Sequence, residues 1–170
     1  MSAHAAIDGA PADGWIVGYR GTCYPADCDH MGHMNVAAYV KKFDEATWFL
    51  WDAVGLSAHR MVESRHGLAA LESAVQYERE VFPGQSLTVR SRILEVGNKT
   101  ARFRHAMSVS RPDGAVRAAR CTYLVCFLDR AGHKGAPWPD DLRASLEAWA
   151  AAGAADEAAA EDFGAGAVGA

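Results

Sequence analysis

The chain has 170 residues and a mass of 18.2 kDa, which suits one domain and leaves little room for two. Half of its residues are hydrophobic and 22% are charged, which excludes a chain that is disordered throughout. The formal net charge of −4 argues against a nucleic-acid binder. No segment is apolar enough to span a membrane, and the N-terminus lacks the basic and apolar segments of a secretory signal. We therefore expect a cytoplasmic protein without nucleic-acid or membrane partners.

The two ends of the chain differ in composition from its middle. Residues 1–13 are small and polar, and residues 151–170 are mostly Ala, Gly and acidic residues. Neither end carries enough large apolar side chains to offset the entropy lost on ordering it. We predict an N-terminal tail at 1–13, one domain at 14–150 and a C-terminal tail at 151–170, whose Ala-rich part can extend a preceding helix.

The first part of the domain predicts a strand, a loop and a long helix. Residues 15–24 alternate loosely, as in a strand, and a loop follows at 25–34. Asn35 suits a helix N-cap and Gly55 suits a helix terminator. Between them, apolar residues recur at helical spacing, at Val36, Tyr39, Val40, Phe43, Ala46, Leu50 and Val54. Further aromatic residues widen this stripe, so we expect the helix to be enclosed on more than one side.

The remainder of the domain predicts strands and a closing helix. Alternating segments, separated by the turn signals at 82–84, 97–98 and 112–114, lie at 71–81, 87–93, 101–110 and 116–128. Because short turns join them, we predict an antiparallel meander. A closing helix begins at Pro139 and buries Leu142, Leu146 and Trp149. A curved antiparallel sheet of about five strands around one long central helix is an α+β fold.

The densest chemistry lies in the loop before the long helix, where Asp27 and Asp29 precede its N-terminus. A helix N-terminus presents free N–H groups that can stabilise an oxyanion. A carboxylate beside it can act as a general base or a nucleophile, and acyl transfer needs both devices. The same carboxylates could simply cap turns and complement the helix dipole, and their spacing alone favours this simpler interpretation.

The sequence gives little support for a metal site or for the common classes of hydrolase. His30 and His33 with the two aspartates resemble metal ligands, but the loop is short and Gly32 indicates a tight turn. The four cysteines fall into two pairs with a spacing wider than that of most zinc sites, so we expect free thiols. The motifs of serine hydrolases, zinc proteases, P-loop enzymes and dinucleotide-binding enzymes are absent from the sequence. We expect neither a metal nor a redox cofactor.

A basic cluster occupies the middle strands. Residues 85–120 contain eight Lys and Arg against two Asp and Glu, although the whole chain is acidic. This pattern fits a solvated strand face. It fits equally well a landing site for a polyanion such as the phosphates of coenzyme A (CoA).

The loop and helix resemble the signature of a known family. The run 27–35, DCDHMGHMN, with Tyr39 and the later Phe43-Asp44-Glu45-Ala46, is similar to D-x-D-x-x-G-H-[VM]-N-N-x-x-Y followed by F-E-E-A-R. This is the pattern of hotdog-fold acyl-CoA thioesterases of the 4-hydroxybenzoyl-CoA thioesterase group. The resemblance covers roughly residues 15–149. Two positions depart from it, since Val36 replaces the second Asn and Thr47 replaces the Arg.

The resemblance implies a hotdog fold and hydrolysis of an acyl-CoA thioester to a carboxylic acid and free CoA, with CoA entering only as part of the substrate. It implies Asp29 as general base or nucleophile, with the backbone amides near Asn35 and Val36 as the oxyanion site. Some relatives use a carboxylate from the second strand of the partner subunit, a position near Glu72. We also expect substrate contacts from His33, Tyr39, Arg90, Lys99 and Arg102.

The resemblance also implies a homodimer or a dimer of dimers, with active sites at the interface between chains. Two alternatives stay open, a non-catalytic acyl-CoA-binding module and a thioesterase acting on acyl-carrier protein. Trp48, Phe49 and Trp51 shape an acyl pocket in one interpretation. In the simpler one, which we favour, they serve helix packing and the dimer interface.

Overall fold

The computed structural model describes residues 9–154. Its elements in chain order are β1 (Ile16–Thr22), a 3-10 turn (Pro25–Asp27), α1 (Val36–Ala53), α2 (Ala58–Glu63), β2 (His66–Tyr77), β3 (Ser86–Val96), β4 (Thr100–Arg111), β5 (Gly114–Asp129), β6 (Lys134–Gly135) and α3 (Asp140–Ala154). The predicted strands and both predicted helices are present. The short α2 and the two-residue β6 had no signal in the sequence, because neither is long enough to show a period.

The sheet is antiparallel with the order β1-β3-β4-β5-β2, and β6 pairs with the end of β5. The prediction of a simple meander is therefore wrong in one respect. β3, β4 and β5 follow one another as hairpins, but β2 crosses over to pair with β5 instead of β3. The strand predicted at 71–81 starts earlier, at His66, and ends at Tyr77. Val81 is buried in the connection that carries the chain across to β3.

The sheet curls around α1. Register shifts within β1, β2 and β3 mark bulges that bend the strands. The close approach of β1 to the helix requires Gly18, where an added Cβ would lie 2.8 Å from the carbonyl oxygen of Ala46. The buried face of α1 consists of Tyr39, Lys42, Phe43, Ala46, Leu50, Trp51 and Ala53. This arrangement confirms the predicted α+β fold with a long helix in a curved sheet.

Helix α3 closes the core at the second half of α1. Leu142, Leu146 and Trp149 are buried there beside Leu50 and Trp51, as the sequence predicted. α3 reaches Ala154, so the Ala-rich segment does extend it, and the rest of the predicted C-terminal tail lies outside the described residues. The predicted N-terminal tail is described only from residue 9. None of the helices within 9–154 is long and apolar enough to cross a membrane.

Candidate active site

The loop before α1 is held in a tight hairpin. The Asp29 amide donates to the His33 carbonyl at 3.2 Å, and the Gly32 amide donates back to the Asp29 carbonyl at 3.0 Å. Gly32 has a φ of 80°, a conformation that favours glycine, so the predicted tight turn is confirmed. The Met34 amide donates to the Val81 carbonyl at 2.7 Å and anchors the loop beside the start of β3. Because backbone hydrogen bonds hold the loop, its side chains project from a defined frame.

The Asp29 carboxylate lies at the N-terminal end of α1 and is partly exposed. One oxygen accepts from the Met31 amide at 2.9 Å, and the other accepts from the Asn35 side-chain amide at 3.1 Å. The Met31 hydrogen bond, followed by that of Asn35, outweighs partial burial and lowers the pKa of Asp29. The carboxylate is therefore ionised at neutral pH and keeps free lone pairs for a water molecule or a substrate.

Asn35 has two roles, which confirms its prediction as the N-cap. Its side-chain oxygen accepts from the Ala37 amide at 2.9 Å, while its side-chain nitrogen orients Asp29. Val36 is the first residue of α1, and its side chain is exposed. An N–H at that position has no acceptor within the helix and carries the positive end of the helix dipole. The Asp29 carboxylate and the backbone N–H groups at the start of α1 therefore lie on the same segment of the chain.

Asp27 differs from Asp29 because its carboxylate makes structural contacts within the chain. Its carboxylate accepts from Lys42 at 3.1 Å and from the Tyr24 amide at 2.9 Å. The Tyr24 hydrogen bond, together with Lys42, lowers the pKa of Asp27 despite its partial burial. Lys42 is only 5% exposed and lies 5.6 Å from the centre of the Tyr19 ring. Nothing in the sequence indicated that Lys42 is buried, because it lies between apolar positions of the helix and looks like an ordinary surface lysine.

Lys42 shows why the pair stays charged. Burial by itself would lower the pKa of the lysine, but the hydrogen bond that Lys42 donates to Asp27 and the interaction with Tyr19 outweigh it and raise the pKa. The pair ties the loop to the buried face of α1, so Asp27 acts as the anchor of the loop that carries Asp29.

His33 and Tyr39 lie close to this loop. His33 Nε2 is 3.6 Å from a carboxylate oxygen of Glu80. Tyr39 is buried, its hydroxyl donates to the Arg79 carbonyl at 3.2 Å, and burial chiefly raises its pKa to about 12. The Tyr39 hydroxyl proton is therefore engaged in a hydrogen bond within the chain.

The other predicted substrate contacts are not brought to Asp29 within one chain. Lys99 lies in the turn after β3, whereas the Asp29 loop is anchored just before β3 begins. β3 has 11 residues and is roughly 35 Å long at about 3.4 Å per residue, so the two groups lie towards opposite ends of this strand. Glu72 is exposed on β2, opposite Leu124, which in turn pairs with Arg102. These residues therefore lie on the sheet, away from the helix N-terminus.

Much of the basic cluster is paired within the chain. Arg90 makes an ion pair with Asp13 and lies over the Trp15 ring, and Arg102 lies 4.0 Å from Glu95. Arg117 and Arg120 both contact the Glu78 carboxylate, at 2.8 and 3.6 Å, and Arg92 is buried against Trp15 and donates to the Gly153 carbonyl. Most of these side chains therefore serve as structural contacts on the sheet.

The aromatic residues of α1 divide into two environments. Trp51 is 1% exposed, whereas Trp48 and Phe49 are 53% and 49% exposed. All four cysteines are free thiols, and the Cys23 and Cys28 sulfurs lie 3.7 Å apart. Within residues 9–154, no three His, Cys, Asp or Glu side chains converge as metal ligands would.

A curled antiparallel sheet around one helix, with a carboxylate at the start of that helix, defines the hotdog class. Solved structures share this fold. One is a hypothetical protein of Staphylococcus aureus in complex with CoA, with a TM-score of 0.73, 18% identity, and coverage of 80% of this chain and 85% of the other. Another is 4-hydroxybenzoyl-CoA thioesterase from Pseudomonas sp. strain CBS-3, with a TM-score of 0.70, 21% identity, and coverage of 77% and 98%.

Residues 23–146 match the model of the thioesterase-like superfamily, and the chain belongs to that superfamily. The resemblance seen in the sequence is thereby confirmed, and with it the class of thioester hydrolases acting on acyl-CoA. A betainyl-CoA thioesterase of Pseudomonas aeruginosa is 29% identical over 134 residues, which are 79% of this chain and 83% of that protein. An L-carnitine dehydrogenase/betainyl-CoA thioesterase of Agrobacterium fabrum is 27% identical over 119 residues, 70% of this chain but 24% of that longer protein.

Proposed function

We propose that this thioesterase hydrolyses its acyl-CoA substrate with Asp29 as the catalytic carboxylate. The observation that carries the proposal is the placement of an ionised carboxylate, oriented by Met31 and Asn35, at the N-terminus of α1. Asp27, the other candidate, forms an ion pair with Lys42 through its Oδ2, which also accepts from the Tyr24 amide. This cation stabilises the charge of Asp27 and makes it a weaker base, so Asp29 is the better candidate for a reacting group.

In the proposed reaction, Asp29 takes a proton from a water molecule that attacks the thioester carbonyl, or attacks that carbon itself. The carbonyl oxygen gains negative charge and is stabilised by the Val36 amide at the positive end of α1. On the general-base route, collapse of the tetrahedral intermediate breaks the carbon–sulfur bond, the proton held by Asp29 passes to the CoA thiolate, and the carboxylic acid is released. On the nucleophilic route, the same bond breaks to leave a mixed anhydride between Asp29 and the acyl group, and water then hydrolyses this anhydride to the carboxylic acid. Every group in this scheme belongs to the chain or the substrate, so it needs no cofactor.

A homodimer through the outer edge of β2 completes this site. β2 has 12 residues, pairs only on its β5 side among the described strands, and exposes Leu71 and Tyr77. Pairing β2 with the same strand of a second copy, in antiparallel orientation, would bring the partner's Lys99 turn to the end of the sheet where Asp29 lies. The placement of these groups towards opposite ends of β3 within one chain supports this arrangement, and a dimer of dimers can be built on it.

Betainyl-CoA comes first among the acyl-CoA substrates to test, since both curated relatives carry that activity in their names. We place the reaction in the cytoplasm, where four free cysteines fit the reducing conditions.

The test is release of CoA thiol from a panel of acyl-CoA esters, followed with a thiol reagent. We expect Asp29→Asn to reduce kcat by about 10²–10⁴, the usual contribution of a positioned acid or base. Asp52→Asn, a change of an exposed aspartate on the same helix, serves as the control, and Glu72→Gln tests the second carboxylate that the family resemblance suggests. Undiminished turnover by Asp29→Asn would overturn the role of Asp29. A fall in kcat with Glu72→Gln instead would assign the catalytic carboxylate to β2.

Two further outcomes distinguish the alternatives. Binding of acyl-CoA by the wild-type protein without any thiol release indicates a binding module. Thiol release from acyl-carrier protein alone indicates the other substrate class.

A single turnover in water labelled with oxygen-18 distinguishes Asp29 as a general base from Asp29 as a nucleophile. If Asp29 acts as a base, the label enters only the carboxylic acid product. If Asp29 acts as a nucleophile and water opens the anhydride at the Asp29 carbonyl carbon, the label enters Asp29, so label in Asp29 identifies the nucleophilic route.

A further inference from the structure

A small cavity lies between α1 and the concave face of the sheet, beside β2 and β5. Its volume is about 150 Å³. Four aromatic side chains form much of its wall, and one carboxylate, that of Asp44, lines it as well; the aromatic residues are Trp48, Trp51, Phe103 and Tyr123. Among the described residues that line it, none is Lys, Arg or His. The cavity is therefore rich in aromatic surface and carries a single formal charge, which is negative.

The aromatic wall is firmly built. Phe103 stacks on Tyr123 with ring centres 5.2 Å apart, and Trp51 meets Phe103 edge-on at 5.5 Å. Trp51 and Phe103 are almost fully buried, while Trp48 reaches the surface. Phe103 covers one face of Tyr123 and Trp138 covers one face of Trp51, and this stacking holds the buried rings in place beside the cavity. Rings that are already held in place lose less entropy on binding.

The electrostatic surroundings favour a cation. Burial, then the nearby Cys121, and then the charge of Asp44 all raise the pKa of Tyr123, which keeps its ring neutral. His105 lies 5.7 Å from Tyr123, and burial lowers its pKa to about 3, so it brings no positive charge to the cavity at neutral pH. Aromatic faces together with a carboxylate bind quaternary ammonium groups, which have no N–H to donate.

We propose that this cavity is the acyl pocket and that it selects small acyl groups bearing a quaternary ammonium group. This inference rests on the proposed thioesterase function. Betainyl-CoA, which is trimethylammonioacetyl-CoA, belongs to this substrate class, and the inference adds the residues that recognise its cationic head. The cationic head contacts the faces of Trp48 and Tyr123, and Asp44 supplies the counter-charge.

The cavity of one chain holds the acyl group of the substrate that reacts at Asp29 of the partner chain. From Val36 to Trp48, α1 rises about 18 Å at 1.5 Å per residue, so a small acyl group in the cavity cannot reach Asp29 of the same chain. Tyr39, near the start of α1, packs against Tyr77 at the end of β2, whereas the cavity joins Trp48 to Leu68 near the start of β2. α1 and β2 therefore run in opposite directions.

This orientation determines what a second copy brings to the cavity. When two β2 strands pair antiparallel, the end of one strand lies beside the start of the other. The Tyr77 end of the partner's β2 then lies beside Leu68 of this chain. The start of the partner's α1, together with the partner's Asp29, lies level with the cavity.

The first test compares two substrates that differ in one atom. Trimethylammonioacetyl-CoA carries a quaternary nitrogen, and 3,3-dimethylbutanoyl-CoA has carbon in its place with nearly the same shape. Because the quaternary nitrogen also activates the thioester carbonyl, each kcat/KM is divided by the rate of hydroxide hydrolysis of the same ester without protein. After this correction we expect the wild-type protein to prefer the cationic ester by about tenfold or more. Equal corrected values for the two esters would overturn the inference while leaving the thioesterase function intact. No hydrolysis of any ester in the panel would instead overturn the proposed function.

The second test removes the recognising groups. Asp44→Asn and Trp48→Leu should each reduce the preference for the cationic ester several-fold and change the rate with the neutral ester little. Asp52→Asn and Phe49→Leu, which alter exposed residues of α1 outside the cavity lining, should leave the preference unchanged. If the preference for the cationic ester is unchanged in Asp44→Asn and Trp48→Leu, the quaternary ammonium group is recognised at another site.

The third test asks which chain supplies the cavity. In a mixed dimer of an Asp29→Asn chain and an Asp44→Asn chain, the only active site uses Asp29 of the second chain. If the cavity comes from the partner, that site has an intact Asp44 and retains the wild-type preference. Loss of the preference in this mixed dimer would refute the shared site. The reciprocal dimer, of wild type with a chain carrying both substitutions, should lose the preference.

Discussion

The buried His105 should make the protein less stable as the pH falls below 6.5. His105 lies on β4 and is fully buried. The Thr47 hydroxyl donates to the Phe43 carbonyl and so accepts from His105 Nε2 at 2.9 Å, which leaves Nδ1 to accept from the Ser91 hydroxyl at 2.7 Å. This network suits the neutral ring with its proton on Nε2. Burial lowers the pKa of His105 from the ordinary 6.5 to about 3.

The magnitude follows from proton linkage. Between pH 6.5 and 3 the unfolded chain binds a proton at this histidine and the folded chain does not, so stability falls as the pH falls. Each pH unit in that window is worth about 1.4 kcal/mol. At pH 5 the loss is about 2 kcal/mol, or roughly 4–8 °C in Tm for a chain of this length.

Urea unfolding between pH 7.5 and 5 measures this contribution. Replacing His105 by Gln keeps an amide that can bond both hydroxyls but cannot titrate, so the variant should lose less stability than wild type over this range. His59→Gln, a change of a histidine that is 79% exposed in its side chain, should behave like wild type. If His105→Gln and wild type lose stability equally, His105 is protonated within the folded protein and the reasoning is wrong.

Two more predictions concern the loop that carries Asp29. Lys42→Met leaves the Asp27 carboxylate without its cation and should cost about 2 kcal/mol in urea unfolding, less than a fully buried pair because Asp27 is partly exposed. A double-mutant cycle with Asp27→Asn should show coupling, and strictly additive losses would contradict the pair. Asn35→Ala should cost about 1 kcal/mol of stability and also lower kcat, whereas Asn35→Ser should keep most of the stability and lower kcat alone. If Asn35→Ser retains full activity, Asn35 does not position Asp29.

The boundaries of α1 were predictable because they depend on neighbours in the sequence. Asn35 caps the helix with its own side chain, and Gly55 takes up a φ of 96° just beyond the helix end. The turns after β3 and β4 were predictable for the same reason. The partner of β2 was not, because the choice between β3 and β5 depends on how the whole sheet curls around the helix.

Local sequence was sufficient for the long helix, the turns, and the loop motif that places two aspartates before a helix N-terminus. Residue spacing alone did not distinguish Asp27 from Asp29, and only the family resemblance singled out Asp29. The structural difference between the two depends on Lys42, which lies 15 residues from Asp27 in sequence and reaches it only when α1 packs in the sheet. Tertiary packing likewise buries His105 and encloses the aromatic cavity beside Asp44, because burial is a property of all the surrounding elements together.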